Sequence, residues 1–141
     1  MTRYEAVMCG ITAIFAYHPE APAVVHGEVK AISNAMFQRG PDGGGFWADN
    51  AGRIAMGHRR LAIIDPKPQA AQPMAIDSRE GFKERYRIIF NGEIYNFREL
   101  KKELEGKGIT FSTESDTEVL LRLYERDGAN MLEVLRGMYT F

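Results

Sequence analysis

Apolar positions along the chain recur at two different periods, and the changes of period mark out its elements. Residues 11–17 form a short apolar run closed by His18-Pro19, which predicts a buried strand. Between 27 and 37, Val29, Ile32 and Met36 recur at helical spacing, and Arg39-Gly40-Pro41-Asp42 stops that helix. Gly43, Gly44 and Gly45 predict a turn ahead of Phe46-Trp47. Ile54, Met56 and His58 alternate and are followed by the apolar stretch 61–64, so 53–64 reads as one or two strands. Three prolines make 65–73 a loop. Over 85–90 alternation returns, with Tyr86, Ile88 and Phe90 on one strand face.

The second half of the pattern is helical. Asn91-Gly92 is a turn signal. Asn96 with Glu99 reads as an N-cap and its partner, and Phe97, Leu100 and Leu104 form the buried stripe of the helix that follows. Gly106 and Gly108 end it. Ser115 with Glu118 repeats the capping pattern before Val119, Leu120, Leu123 and Tyr124, and Gly128 closes that helix. A short helix over 131–136 leads into 138–141, which opens like a strand and predicts that the domain continues beyond 141.

Composition narrows the class. The chain has 141 residues, 45% hydrophobic and 26% charged with a net charge of −1, enough for one domain with a real core. No basic excess points to nucleic acid and no charge run to a membrane surface. No apolar stretch approaches the roughly 20 residues of a spanning helix, and the start lacks the apolar core of a secretory signal. One cysteine forms no internal disulfide, and no Cys/His cluster has metal-binding spacing. The expected compartment is the cytoplasm.

That single cysteine, Cys9, follows an internal methionine, Met8. A chain processed to begin at Cys9 carries a thiol of pKa about 8.5 beside an α-amine of about 7.7–8.0, a nucleophile with its own base. Alone, Cys9 reads more readily as a small buried hydrophobe. Four further clusters punctuate strand ends and turns: residues 39–42, His58-Arg59-Arg60-Leu61, residues 91–96 and Ser115-Asp116-Thr117-Glu118. Taken singly these are a turn, a charged strand face, a hairpin and a helix cap.

Together and in this order they resemble the class II glutamine amidotransferases, and among these most closely the glutaminase domain of the asparagine synthetases. RGPD at 39–42, RRLAIID at 59–65, QPM at 72–74, FNGEIYNF at 90–97 and SDTEV at 115–119 carry the likeness, which runs from 8 to 141. It implies an α+β fold, the four-layer αββα sandwich of the N-terminal nucleophile hydrolases, truncated at its C-terminal end. It implies a leader or mis-assigned start over 1–8, a glutamine amidotransferase domain over 9–141, and an ATP-dependent synthetase domain that is absent.

The residue roles implied are equally specific. Cys9 is the nucleophile, with Asn91 and Gly92 as the oxyanion hole. Arg60 grips the substrate carboxylate, Asp116 and Glu93 hold its ammonium, and backbone near Ile63 completes the pocket. Arg59 is expected to be a solvent-facing neighbour of Arg60 on the alternate strand face, and Arg39 and Asp42 to fix a turn beside the pocket. No cofactor or metal is expected in this domain, ATP and magnesium belonging to the synthetase domain. The partners implied are glutamine, that synthetase domain on the same polypeptide and a second copy in a homodimer. Gln38 departs from the histidine the family carries before RGPD. Three alternatives stay open: a relative that amidates another acceptor, a non-catalytic binding module, and a hydrolase pairing Cys9 with His58 or His26.

Overall fold

A computed structural model describes residues 8–62, 65 and 67–141. Three antiparallel strands form the first sheet: β1 (Gly10–Phe15), β2 (Gly43–Ala48) and β3 (Ile54–Arg60), in the order β1-β3-β2. Helix α1 (His26–Ala35) lies across one face of this sheet, and Val29, Ala55, Val24 and Ala16 form a small core there with Ile14, Phe46 and Ala48. The register Thr12↔Gly57↔Phe46 puts residues 12, 57 and 46 on the helix side, and 11, 58 and 45 on the other. β1 is therefore half-buried instead of buried throughout, and Phe15 is exposed.

The larger core belongs to the second half of the chain. Helices α2 (Phe97–Gly106) and α3 (Asp116–Asp127) pack with two short antiparallel ladders, β4 (Met74–Ile76) with β5 (Tyr86–Ile88) and β6 (Asn91–Ile94) with β7 (Gly137–Thr140). Leu100, Leu104, Val119, Leu120 and Leu123 fill it from the helices, as their spacing predicts. Ile76, Ile88, Phe90 and Ile94 fill it from the strand side. Between the halves, Arg87 of β5 lies over the Trp47 ring of β2, 4.4 Å from its centroid. The architecture is thus mixed helix and antiparallel sheet, an α+β fold, and no helix among the described residues is long and apolar enough to cross a membrane.

Several local expectations give way to tertiary contacts. Gly43–Gly45 belong to β2 and make no turn. A Cβ on Gly45 would collide with the Gln72 carbonyl, and one on Gly44 would lie 2.9 Å from the Arg59 guanidinium, so the glycines admit close neighbours on both faces. Asn91-Gly92 opens β6 and makes no hairpin turn, because the ladder partner is the distant β7. In α1 the buried positions are Val29 and Ser33, while Ile32 is exposed. Asn96 sits at the start of α2 without capping it; its amide bridges the Val134 carbonyl (2.9 Å) and the Arg136 N–H (3.0 Å) instead. Ser115 does cap α3, accepting from the Thr117 N–H at 3.1 Å. Its expected partner Glu118 reaches further back, accepting from the Ser112 and Thr113 N–H groups and the Thr113 hydroxyl.

Candidate functional site

β3 ends at Arg60, and the chain passes Cys9 on its way out of the sheet. The Cys9 Sγ accepts from the Leu61 N–H at 3.3 Å and faces the Leu61 carbonyl at 3.7 Å. Two residues of the RGPD turn hold this corner, as expected: Arg39 Nε donates to the Cys9 carbonyl (3.4 Å), and Asp42 accepts from the Ala62 N–H (2.9 Å). Arg60 donates to the carbonyls of Asp65 and Lys67, the latter at 3.1 Å, which leaves part of its fork for a ligand. Arg59 corrects the expectation of a solvent-facing side chain. It lies on the alternate strand face, as expected, but is half-buried there, donating to the Ser33 carbonyl (3.1 Å) and the Asn34 side chain, and so ties β3 to the end of α1.

Cys9, Arg60, Asn91, Gly92, Glu93 and Asp116 line one cavity of about 200 Å³, with Met8 and Leu61 at the cysteine end. Drug-sized sites run to roughly 300–1,000 Å³, so this one suits a single small metabolite. Asn91 and Gly92 enter it on β6. Gly92 takes φ +151° and a Cβ there would collide with the Met138 carbonyl of β7, so only glycine fits beneath that strand. Asn91 Oδ1 is buried without a partner, and among the described residues no protein hydrogen bond engages its side-chain amide. Ile63 lies outside the described residues.

Asp116 is the first residue of α3 and almost fully buried. Burial pushes its carboxyl above the usual range, and the Glu93 carboxylate adds to this, against hydrogen bonds from the Ile94 and Thr117 N–H groups. A buried carboxylate with a second acid beside it is an environment that a cation relieves, and the helix N-terminus behind Asp116 offsets only part of that cost.

Neither histidine offers the cysteine a base. His58 is buried on the inner face of β3, its Nε2 bonded to the Phe90 carbonyl at 3.2 Å, and His26 packs against Phe46 on the α1 side. Neither lines the cavity. Burial lowers the His58 pKa from 6.5 to about 4, with the Arg60 charge adding to the effect. The unfolded chain therefore binds the extra proton first as the pH falls. Stability is expected to be complete above pH 6.5 and to drop by about 3 kcal/mol between there and pH 4. Urea midpoints across that range check it; His58→Gln should remove this part of the slope.

Sequence reasoning missed Gln72, which also lines the cavity. Its Oε1 accepts from the Phe90 N–H at 2.6 Å and its Nε2 donates to the Thr117 hydroxyl at 3.3 Å. The available signal was the QPM motif at 72–74, which carries part of the family likeness but assigned the glutamine no role.

A model of the glutamine amidotransferase domain family matches residues 8–141. The chain belongs to this family. Among curated relatives, an "Asparagine synthetase [glutamine-hydrolyzing] 1" of Bacillus subtilis is 43% identical over 95% of this chain and 20% of its own length. A "Putative asparagine synthetase [glutamine-hydrolyzing] 2" of Methanocaldococcus jannaschii is 36% identical, over 95% and 27%. An "Asparagine synthetase [glutamine-hydrolyzing]" of Sandersonia aurantiaca is 39% identical, over 95% and 23%. The amidotransferase chain thus spans about a fifth to a quarter of the length of these relatives, and it is a glutaminase-type domain.

Proposed function

We propose that this domain hydrolyses glutamine to glutamate and ammonia through a thioester on Cys9. The observation that carries this reading is the convergence of a thiol, a free amide, a guanidinium and paired acids on one cavity of amino-acid size. The Cys9 thiol passes its proton to the Cys9 α-amine, exposed once residues 1–8 are removed, and the sulfur attacks the side-chain carbonyl carbon. Negative charge moves to the carbonyl oxygen, where the Asn91 amide and the Gly92 N–H receive it. Collapse breaks the carbon–nitrogen bond, the amine returns its proton to the leaving nitrogen, and ammonia departs. Water, deprotonated by the same amine, then cleaves the thioester to glutamate and regenerates the thiol.

Arg60 holds the substrate carboxylate by the donors that Asp65 and Lys67 leave free. Asp116 and Glu93 hold the ammonium. Layering of α1, the first sheet, the paired ladders and α2 with α3 supports a four-layer αββα sandwich. In the intact protein the ammonia serves a synthetase domain that binds ATP and magnesium and amidates aspartate; the glutaminase step itself uses no cofactor. The names of the relatives support this acceptor, and the cytoplasm is its proposed setting.

Trapping tests the reading. Protein beginning at Cys9, mixed with glutamine and hydroxylamine, is expected to form γ-glutamyl hydroxamate, and Cys9→Ala to form none. Absence of both hydroxamate and ammonia from the unsubstituted protein would favour a binding module instead.

A further inference from the structure

Phe90 occupies the gap where the chain leaves one ladder for the next. β5 ends at Ile88 and β6 begins at Asn91, so neither ladder pairs Phe90, although it is almost fully buried. A buried backbone group left without a partner keeps its full desolvation cost. Here both groups are met by side chains from other parts of the chain. Gln72 accepts the Phe90 N–H at 2.6 Å, and His58 Nε2 bonds the Phe90 carbonyl at 3.2 Å. A carbonyl only accepts, so His58 is the tautomer with its proton on Nε2. The next residue is Asn91, whose own side chain has no protein hydrogen bond among the described residues to fix it. Gln72 also reaches the Thr117 hydroxyl, one residue beyond Asp116, and so joins the two walls of the cavity.

We infer that Gln72, with His58, is a positioning residue for the reaction: by holding the Phe90 peptide it fixes where Asn91 presents its amide to the developing oxyanion. This rests on the glutaminase reading above. Misplacement of a catalytic group by about 1 Å costs up to about 10²-fold in rate. Because the oxyanion forms only in the transition state, the loss belongs in kcat and leaves KM nearly unchanged.

The test is a double-mutant cycle in the protein beginning at Cys9. None of the described elements starts before Gly10, so the cut leaves them all intact. Gln72→Met is expected to lower kcat by roughly ten- to a hundredfold. In an Asn91→Ala background it should lower kcat by less than about threefold, because the group it positions is gone. Gln72→Asn, one methylene too short, replaces Gln72→Met in the cycle if that variant does not fold. Equal losses in both backgrounds, an unchanged kcat, or a loss confined to KM would overturn the inference. If the unsubstituted protein releases no ammonia, the glutaminase reading fails, and nitrogen-15 spectra decide the positioning role. There Gln72→Met must move the Asn91 side-chain resonances and unprotect the Phe90 amide proton; unmoved Asn91 resonances overturn it.

Discussion

Freeing the amine of Cys9 by removing residues 1–8 is expected to raise glutamine hydrolysis by about 10²–10⁴-fold, the usual worth of general-base assistance. With Met8 attached, the nitrogen of Cys9 is an amide that accepts no proton near neutral pH. The polar contacts of its sulfur among the described residues are the Leu61 N–H and carbonyl, neither of which is a base. His58 is spent on Phe90 and His26 lies on the far side of the first sheet, so neither histidine stands in for the missing amine. Met8 also lines the cavity beside the sulfur, where the substrate amide must come. Mass spectrometry of the N-terminus paired with ammonia release reads the contrast directly. Full activity with residues 1–8 still in place would overturn the mechanism.

The second large effect is at Asn91. Asn91→Ala should lower kcat by about 10²–10³-fold, the range for loss of one oxyanion donor, or about 2.7–4 kcal/mol. KM for glutamine should stay within a few-fold, since the oxyanion appears only as the sulfur attacks. Asn91→Asp should be no better, because a carboxylate cannot donate and opposes the developing charge. Steady-state kinetics on the two variants decide it. A loss carried by KM would move Asn91 from the reacting oxygen to the binding of the amino-acid head.

The residues of the candidate site were more legible in the sequence than the topology. RGPD, RRLAIID, NGEIYN and SDTEV bring residues 9, 60, 91–93 and 116 into one cavity without any knowledge of which strand pairs with which. The stripes of α2 and α3 were largely legible, because a 3.6-residue period states which face is buried, although Tyr124 at the edge of the α3 stripe is exposed. What escaped depends on distant segments. Gly43–Gly45 look like a turn until the Gln72–Pro73 backbone passes over one of them. Asn91-Gly92 looks like a hairpin until β7 arrives from more than forty residues away. Arg59 looks like a solvated charge until the end of α1 needs a donor. Gln72 is the instructive omission, since its role exists only because a peptide between two ladders lacks partners.

Asn96 reaches across to the segment before β7, clasping the Val134 carbonyl and the Arg136 N–H. Strand side chains alternate between faces, so a slip of one residue in β7 would exchange every face it presents. Met138 now lines the cavity while Tyr139 packs against the core; after a slip the aromatic ring would fill the space meant for substrate. The shape of the cavity is therefore guarded by an amide that never touches it, acting as an alignment pin for the strand that forms its wall.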